Sequence, residues 1–135
     1  MPSTDMFVII GASLAGAKAA ETLRTEGFEG RVVLIGEERS RPYERPPLSK
    51  EYLRGEKGFD HAAVHPPEFY DAHGIELRTS TLVSALDVGA SEVVLASGER
   101  AHWDRLLLAT GSAPRRLSVP GADLEGVHYL RSVDD

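Results

Sequence analysis

Four consecutive apolar residues, Phe7, Val8, Ile9 and Ile10, run directly into Gly11, and after Gly16 the apolar spacing changes to that of a helix. This order fits a buried strand that feeds a tight turn and then a helix. On the helix, Gly16, Ala20, Leu23 and Gly27 are spaced four, three and four apart. They form a narrow small-residue stripe able to lie close against a parallel sheet. Lys18, Glu21 and Thr25 then take the opposite, solvated face.

The turn itself, GASLAG from Gly11 to Gly16, has the spacing GxGxxG. In that pattern the first glycine permits the turn, the second lets a pyrophosphate approach the backbone, and the third lets the helix pack on the strand. The first amides of the helix would face the phosphates. Ser13 stands where the second glycine is expected, and its hydroxyl either faces a phosphate or turns away. Glu37 lies 21 residues beyond Gly16, at the end of the next apolar run, where an acid hydrogen-bonds a ribose diol. Two features coupled at this separation favour a bound dinucleotide over a glycine turn that binds nothing.

The 135 residues, 41% hydrophobic and 27% charged, suit one soluble domain with a real core. A net charge of −6 argues against nucleic acid as a partner, since phosphate binding wants a basic face. No run approaches the roughly 18 apolar residues of a membrane span, and Met1 to Met6 lacks the charged and apolar regions of a signal peptide, so no membrane partner and a cytoplasmic location are expected. With no cysteine there is no disulfide, thiolate metal site or redox dithiol in these residues.

In chain order, the first helix should end at Gly27, and a second strand, Arg31 to Ile35, completes a βαβ unit. The segment 38–50 holds Pro42, Pro46 and Pro47, which forbid a regular element. Its Arg39, Arg41 and Arg45 either stand beside the pyrophosphate edge or are ordinary surface arginines of a solvated loop. Pro47 can open a short helix over 48–53. Residues 54–65 read as a mobile excursion with few anchors. His61 and His65, four apart, would share a helix face, but no acid or cysteine completes a metal site, and none is expected. A short helix over 67–73, closed by Gly74, leads to a strand at 75–78. Alternating runs at 82–88, 92–96 and 100–103 predict an antiparallel three-stranded meander. A fully apolar strand, 106–109, ends in Thr110 and Gly111. Beyond it Pro114, Pro120, Gly121 and Gly126 break regular structure, and no second strand–glycine–helix unit follows Gly36. The fold class is therefore α/β: a Rossmann-like parallel sheet with a β-meander.

The segments GASLAG, RPYERPPLSK, LLLATGSAPRRL and VPGADLEGVHYLRSVDD together resemble the amino-terminal part of FAD-dependent ferredoxin reductases. These are the oxygenase-coupled and rubredoxin-reductase-like members of the pyridine nucleotide-disulfide oxidoreductase superfamily. The resemblance runs over nearly the whole chain and implies an incomplete FAD/NAD(P)-binding fold. Residues 1–111 would be the first segment of the FAD-binding domain, and 112–135 a linker towards an NAD(P)-binding domain. By the same resemblance Gly11, Ser13, Leu14, Ala15 and Gly16 form the turn against the FAD pyrophosphate, and Glu37 takes the adenosine ribose. Arg45 and Pro47 lie along the adenosine and pyrophosphate, and Lys50 reaches the isoalloxazine as the catalytic residue. Val83 touches the adenine through its backbone, Ala109, Thr110 and Gly111 form a second flavin motif, and Arg131 also meets the cofactor. The implied reaction passes electrons from NAD(P)H through FAD to a ferredoxin or rubredoxin, and a homodimer of the full-length protein is compatible with it. A non-catalytic dinucleotide-binding module and an NAD-dependent dehydrogenase remain the alternatives.

Overall fold

The computed structural model describes residues 3–135; Met1 and Pro2, at the start of the stretch read for a signal peptide, lie outside them. Strand β1 (Met6–Ile10), helix α1 (Leu14–Thr25) and strand β2 (Arg31–Ile35) make the expected βαβ unit, with Phe7 opposite Val32 and Ile10 opposite Ile35 in parallel register. Two segments later in the chain flank this pair. Helix α2 (Phe59–Ala62), helix α3 (Glu68–Ala72) and strand β3 (Ile75–Arg78) come first, and β3 joins the free side of β2. The meander follows, with strands β4 (Val83–Asp87), β5 (Glu92–Leu95) and β6 (Arg100–His102). Strand β7 (Arg105–Leu108) then joins the free side of β1, giving the parallel order β3-β2-β1-β7.

Period-two alternation decides what covers each face of this sheet. Val8, Ile10, Val33 and Ile35 point to one side and pack with Val93 and Leu95 of the meander. Ile9, Val32, Leu34 and Ile75 point to the other and pack with Ala20 of α1 and Tyr70 of α3. With both faces covered, an unbroken apolar strand such as Val32–Ile35 is stable, each fully buried side chain contributing about 1.5–3 kcal/mol.

Several local expectations change. Helix α1 begins at Leu14, two residues before Gly16, which makes Ser13 its N-cap residue. The residues it buries are Gly16, Ala17 and Ala20, while Gly27 is exposed beyond the helix end. Glu21 is not fully solvated: His65, stacked on Phe69, reaches it at 2.9 Å. The Glu21 carboxyl is held below the usual carboxylate range by Lys18 first and His65 second. In place of a helix over 48–53 there is a 3-10 helix at Pro46–Ser49, because two successive prolines without N–H fit only its opening positions. The segment 54–65 is anchored rather than loose. Ala62 is buried with Tyr43 and Leu48 in a small core of its own, Ala63 pairs with Tyr43, and Arg41 holds the His65 carbonyl and Asp60. Strand β7 lies at the sheet edge, so its apolar run is not buried throughout: Leu107 and Leu108 are 42% and 57% exposed. Residues 112–135 contain no helix or strand, yet they do not simply leave the domain, since Val133 packs onto the Tyr43 core. No helix among the described residues is long and apolar enough to cross a membrane.

Candidate functional site

The carboxyl ends of β1, β2 and β7 meet at a cleft of about 490 Å³. Its floor is built from backbone. Gly11 has φ +113° and donates its N–H to the Ile35 carbonyl at 2.8 Å, while Ala109 N–H reaches the Ile10 carbonyl at 2.7 Å. A side chain at residue 11 would collide with the Ala109 carbonyl, so both the torsion and the space require glycine. Gly16 lies behind this floor, where a Cβ would fall 1.9 Å from the Gly11 carbonyl oxygen. Gly36 abuts Ala12 in the same way.

Helix α1 opens into the cleft at Leu14 and Ala15, which line it together with Ser13. Ser13 has φ −117°, a backbone conformation any residue adopts, so serine fits where the pattern expects glycine. Its hydroxyl makes no capping bond, and its carbonyl accepts the Ala17 N–H at 2.9 Å. The helix carries no acidic residue in its first turn. The amides of the opening turn are therefore left with their partial positive charge directed at the cleft, and an anion such as a diphosphate would satisfy them. Glu37, exposed at the end of β2, lines the same cleft.

The far wall comes from the segment before the 3-10 helix. The Arg45 guanidinium donates to Glu38 Oε1 at 2.6 Å, to the Tyr43 hydroxyl at 2.9 Å and to the Arg131 carbonyl at 2.7 Å. The Tyr43 hydroxyl donates in a short bond to Glu38 Oε2 and accepts the Val133 N–H at 2.9 Å. Burial works against the Arg45 charge, but the Glu38 carboxylate and the Tyr43 oxygen outweigh it and hold the guanidinium above its ordinary value. Burial, reinforced by the Glu38 carboxylate, pushes the Tyr43 phenol up to about 12. The Arg131 guanidinium lies over Gly111, its Nη2 2.7 Å from where a Cβ would stand.

Gly11, Ser13, Leu14, Ala15, Glu37, Arg45, Val83, Ala109, Thr110, Gly111 and Arg131 all line this one cleft. Three residues named with them do not. Gly16 is behind the floor, Pro47 gives its place in the wall to Pro46, and Lys50 is exposed, with Nζ 3.4 Å from the Pro46 carbonyl. Of the three arginines only Arg45 faces the cleft; Arg39 pairs with Asp134 and Arg41 with Asp60. Glu38, Ser40, Thr81 and Leu82 also line it, and no motif in the sequence marks them. Thr81 and Leu82 arrive through the return from β3, where Thr81 N–H meets the Gly36 carbonyl at 2.8 Å, a contact between residues far apart in the chain.

Residues 5–135 match the sequence pattern of the family described as pyridine nucleotide-disulphide oxidoreductase. A probable ferredoxin reductase of Castellaniella defragrans is 43% identical over 135 residues, which is 100% of this chain and 33% of that protein. Rhodocoxin reductase of Rhodococcus erythropolis is 44% identical over 128 residues, 95% of this chain and 30% of that one. Among solved structures, a ferredoxin reductase from Rhodopseudomonas palustris superposes with a TM-score of 0.89 at 38% identity, covering 96% of this chain and 32% of its own. A covalent putidaredoxin reductase–putidaredoxin complex gives 0.84 at 39% identity, covering 88% and 28%. The chain thus spans about a third of the length of the relatives it matches.

Proposed function

Because the chain belongs to the pyridine nucleotide-disulphide oxidoreductase family, we propose that its cleft holds FAD and that the chain serves an NAD(P)H-dependent reductase of a ferredoxin or rubredoxin. The observation that carries this reading is the coincidence of three features on one cleft: a glycine floor with no room for a side chain, the bare amino end of α1, and the exposed Glu37 carboxylate. They suit the parts of an adenine dinucleotide, which are a diphosphate for the amides and a ribose diol for the carboxylate. The names of the relatives, ferredoxin–NAD(P)(+), rubredoxin–NAD(+) and rhodocoxin reductases, support a nicotinamide donor and a small electron carrier as acceptor.

When bound, FAD would accept a hydride from NAD(P)H and release its electrons singly. The residues of this chain act by holding and orienting it. The amides of Leu14 and Ala15 and the Ser13 hydroxyl would take the diphosphate, and Glu37 the ribose hydroxyls. Ala109, Thr110 and Gly111, with Val83 and Arg45, line the rest of the cleft. Lys50, exposed outside the wall, is the residue we assign to the isoalloxazine end. Residues 1–111 are proposed as the first segment of the FAD-binding domain and 112–135 as the connection towards an NAD(P)-binding domain, with a cytoplasmic location and a homodimeric whole.

The absorbance spectrum of the purified protein, followed by identification of the small molecule released on denaturation, tests the reading. A flavin spectrum and released FAD are expected. A colourless protein that binds NAD would instead favour a dehydrogenase. The 135-residue chain alone is expected to show no NAD(P)H-dependent reduction of ferricyanide; steady turnover would overturn the division of labour proposed here.

A further inference from the structure

The Tyr43 hydroxyl is a junction between three parts of the chain that are distant in sequence. It touches Glu38 from the end of β2, Arg45 from the segment before the 3-10 helix, and the Val133 N–H from the last stretch of the chain. Tyr43 is 2% exposed, its ring packed with Leu48, Ala62 and Phe59, so the hydroxyl is held from behind by a small core. Nothing else from regular structure fixes residues 131–133: they lie in no helix or strand. Besides the packing of Val133 on the Tyr43 core, their attachments are the Tyr43 bond at Val133, the Arg45 bond to the Arg131 carbonyl, the neighbouring Arg39–Asp134 pair, and a local turn closed by Asp135. Two of these four run through the Tyr43–Arg45–Glu38 cluster, one at the Arg131 carbonyl and one two residues on at the Val133 N–H. Among the described residues the Arg131 guanidinium has no hydrogen-bond or ionic partner; it lies over Gly111 at the cleft.

We propose that Tyr43 is a positioning residue, a latch that clamps Arg131–Val133 to the cleft so that the Arg131 guanidinium is presented to the anionic diphosphate of a bound dinucleotide. This rests on reading the cleft as a dinucleotide site. Tyr43 itself does not line the cleft, and its effect passes through Arg131. A guanidinium held in place loses less conformational freedom on meeting a phosphate than one on a loose strand.

The experiment is a double-mutant cycle in the intact protein, reading FAD affinity for the parent, Tyr43→Phe, Arg131→Ala and the pair. Each single change should weaken FAD about tenfold, and the pair should do little worse than either alone, because both remove the same contact. Adenosine, which carries no phosphate, should bind all four proteins alike, and hydrogen exchange at the Val133 amide should speed up in Tyr43→Phe. Losses that multiply towards about a hundredfold, or an equal loss for adenosine, would overturn the latch, as would FAD affinity unchanged in Tyr43→Phe. Should that variant fail to fold by circular dichroism, Glu38→Gln, which removes the charge at the centre of the junction, reads the same coupling against Arg131→Ala. A parent that binds no FAD would defeat the dinucleotide reading itself, whereas a parent that binds FAD with additive variants would defeat only the latch.

Discussion

The Ala109 carbonyl oxygen occupies the space where a side chain on Gly11 would begin: a Cβ there would fall 2.0 Å away. This approach is fixed by the strand pairing on both sides, since Gly11 bonds back to Ile35 and Ala109 to Ile10. Gly11→Ala must therefore part β1 from β7 or twist the turn, on top of the strain of φ +113°. The expected result is a loss of about 2 kcal/mol or more in urea unfolding, together with loss of FAD binding. Wild-type stability in this variant would mean that the turn relaxes more easily than the packing implies.

Glu37 is the carboxylate on the cleft wall that has no partner among the described residues, whereas its neighbour Glu38 is engaged by Arg45 and Tyr43. A hydrogen bond from a hydroxyl to a charged acceptor contributes about 1.5–3 kcal/mol. Glu37→Ala in the intact protein should lower FAD affinity by roughly a factor of ten or more, measured by fluorescence titration. Retention of flavin as tightly as in the parent would remove Glu37 from the role of ribose ligand.

Lys50 stands apart from the cleft wall, exposed, with its Nζ 3.4 Å from the Pro46 carbonyl. FAD affinity in Lys50→Met should accordingly stay within about twofold of the parent. If a point charge on a flexible stem serves the isoalloxazine end, the same variant should have a lower flavin reduction potential or slower hydride transfer. Unchanged potential and unchanged rate would return Lys50 to the solvated surface.

Local pattern and distant contact explain what was legible in the sequence. Strands Arg31–Ile35 and Ile75–Arg78 coincide with their expected bounds because each is a continuous apolar or alternating run closed by turn residues. The places of the glycine turn and of Glu37 on the cleft were readable because both depend on spacing alone. What escaped depends on residues far apart in the chain. The segment 54–65 looked weakly anchored because its anchors, Tyr43 and Arg41, precede it by about twenty residues and belong to a proline-rich stretch without periodicity. The return of 131–133 to Tyr43 spans 90 positions, and nothing in a linker-like composition announces it. The helix start moved from Gly16 to Leu14 because apolar spacing reports where a helix packs, not where its first turn is made.

Arg24, near the end of α1, donates to four backbone carbonyls: His73 at 2.8 Å, Phe28 at 2.6 Å, Gly30 at 2.8 Å and Gly74 at 2.6 Å. One guanidinium thus ties the α1–β2 connection to the α3–β3 connection, and its fork geometry is what allows this. Arg24→Lys keeps the charge but cannot span four acceptors, so it should cost nearly as much as Arg24→Met, on the order of 1–3 kcal/mol in urea unfolding. Full rescue by lysine would show that charge at the helix end, rather than the fork, is what stabilises this corner.

The last prediction concerns alkaline pH. Burial is the main cause that pushes the phenols of Tyr43 and Tyr70 up to about 12, each residue being 2% exposed. At Tyr43 the Glu38 carboxylate adds to the rise; at Tyr70 the Arg41 charge opposes it and the Glu21 charge adds to it. An unfolded tyrosine titrates near 10. The folded values are raised, so the stability is fully present below pH about 10 and is lost as pH climbs through about 12, on the order of 2–3 kcal/mol for each tyrosine. The two residues differ at neutral pH. The Tyr43 hydroxyl serves Glu38, Arg45 and Val133, whereas the Tyr70 hydroxyl is buried with no hydrogen-bond partner among the described residues. Tyr70→Phe should therefore leave stability at pH 7 unchanged or slightly higher and flatten the fall above pH 10, while Tyr43→Phe should cost about 1–3 kcal/mol at pH 7. Urea midpoints measured between pH 7 and about 11.5 check both. An alkaline limb in Tyr70→Phe as steep as the parent's would show that the buried Tyr70 phenol does not resist ionisation.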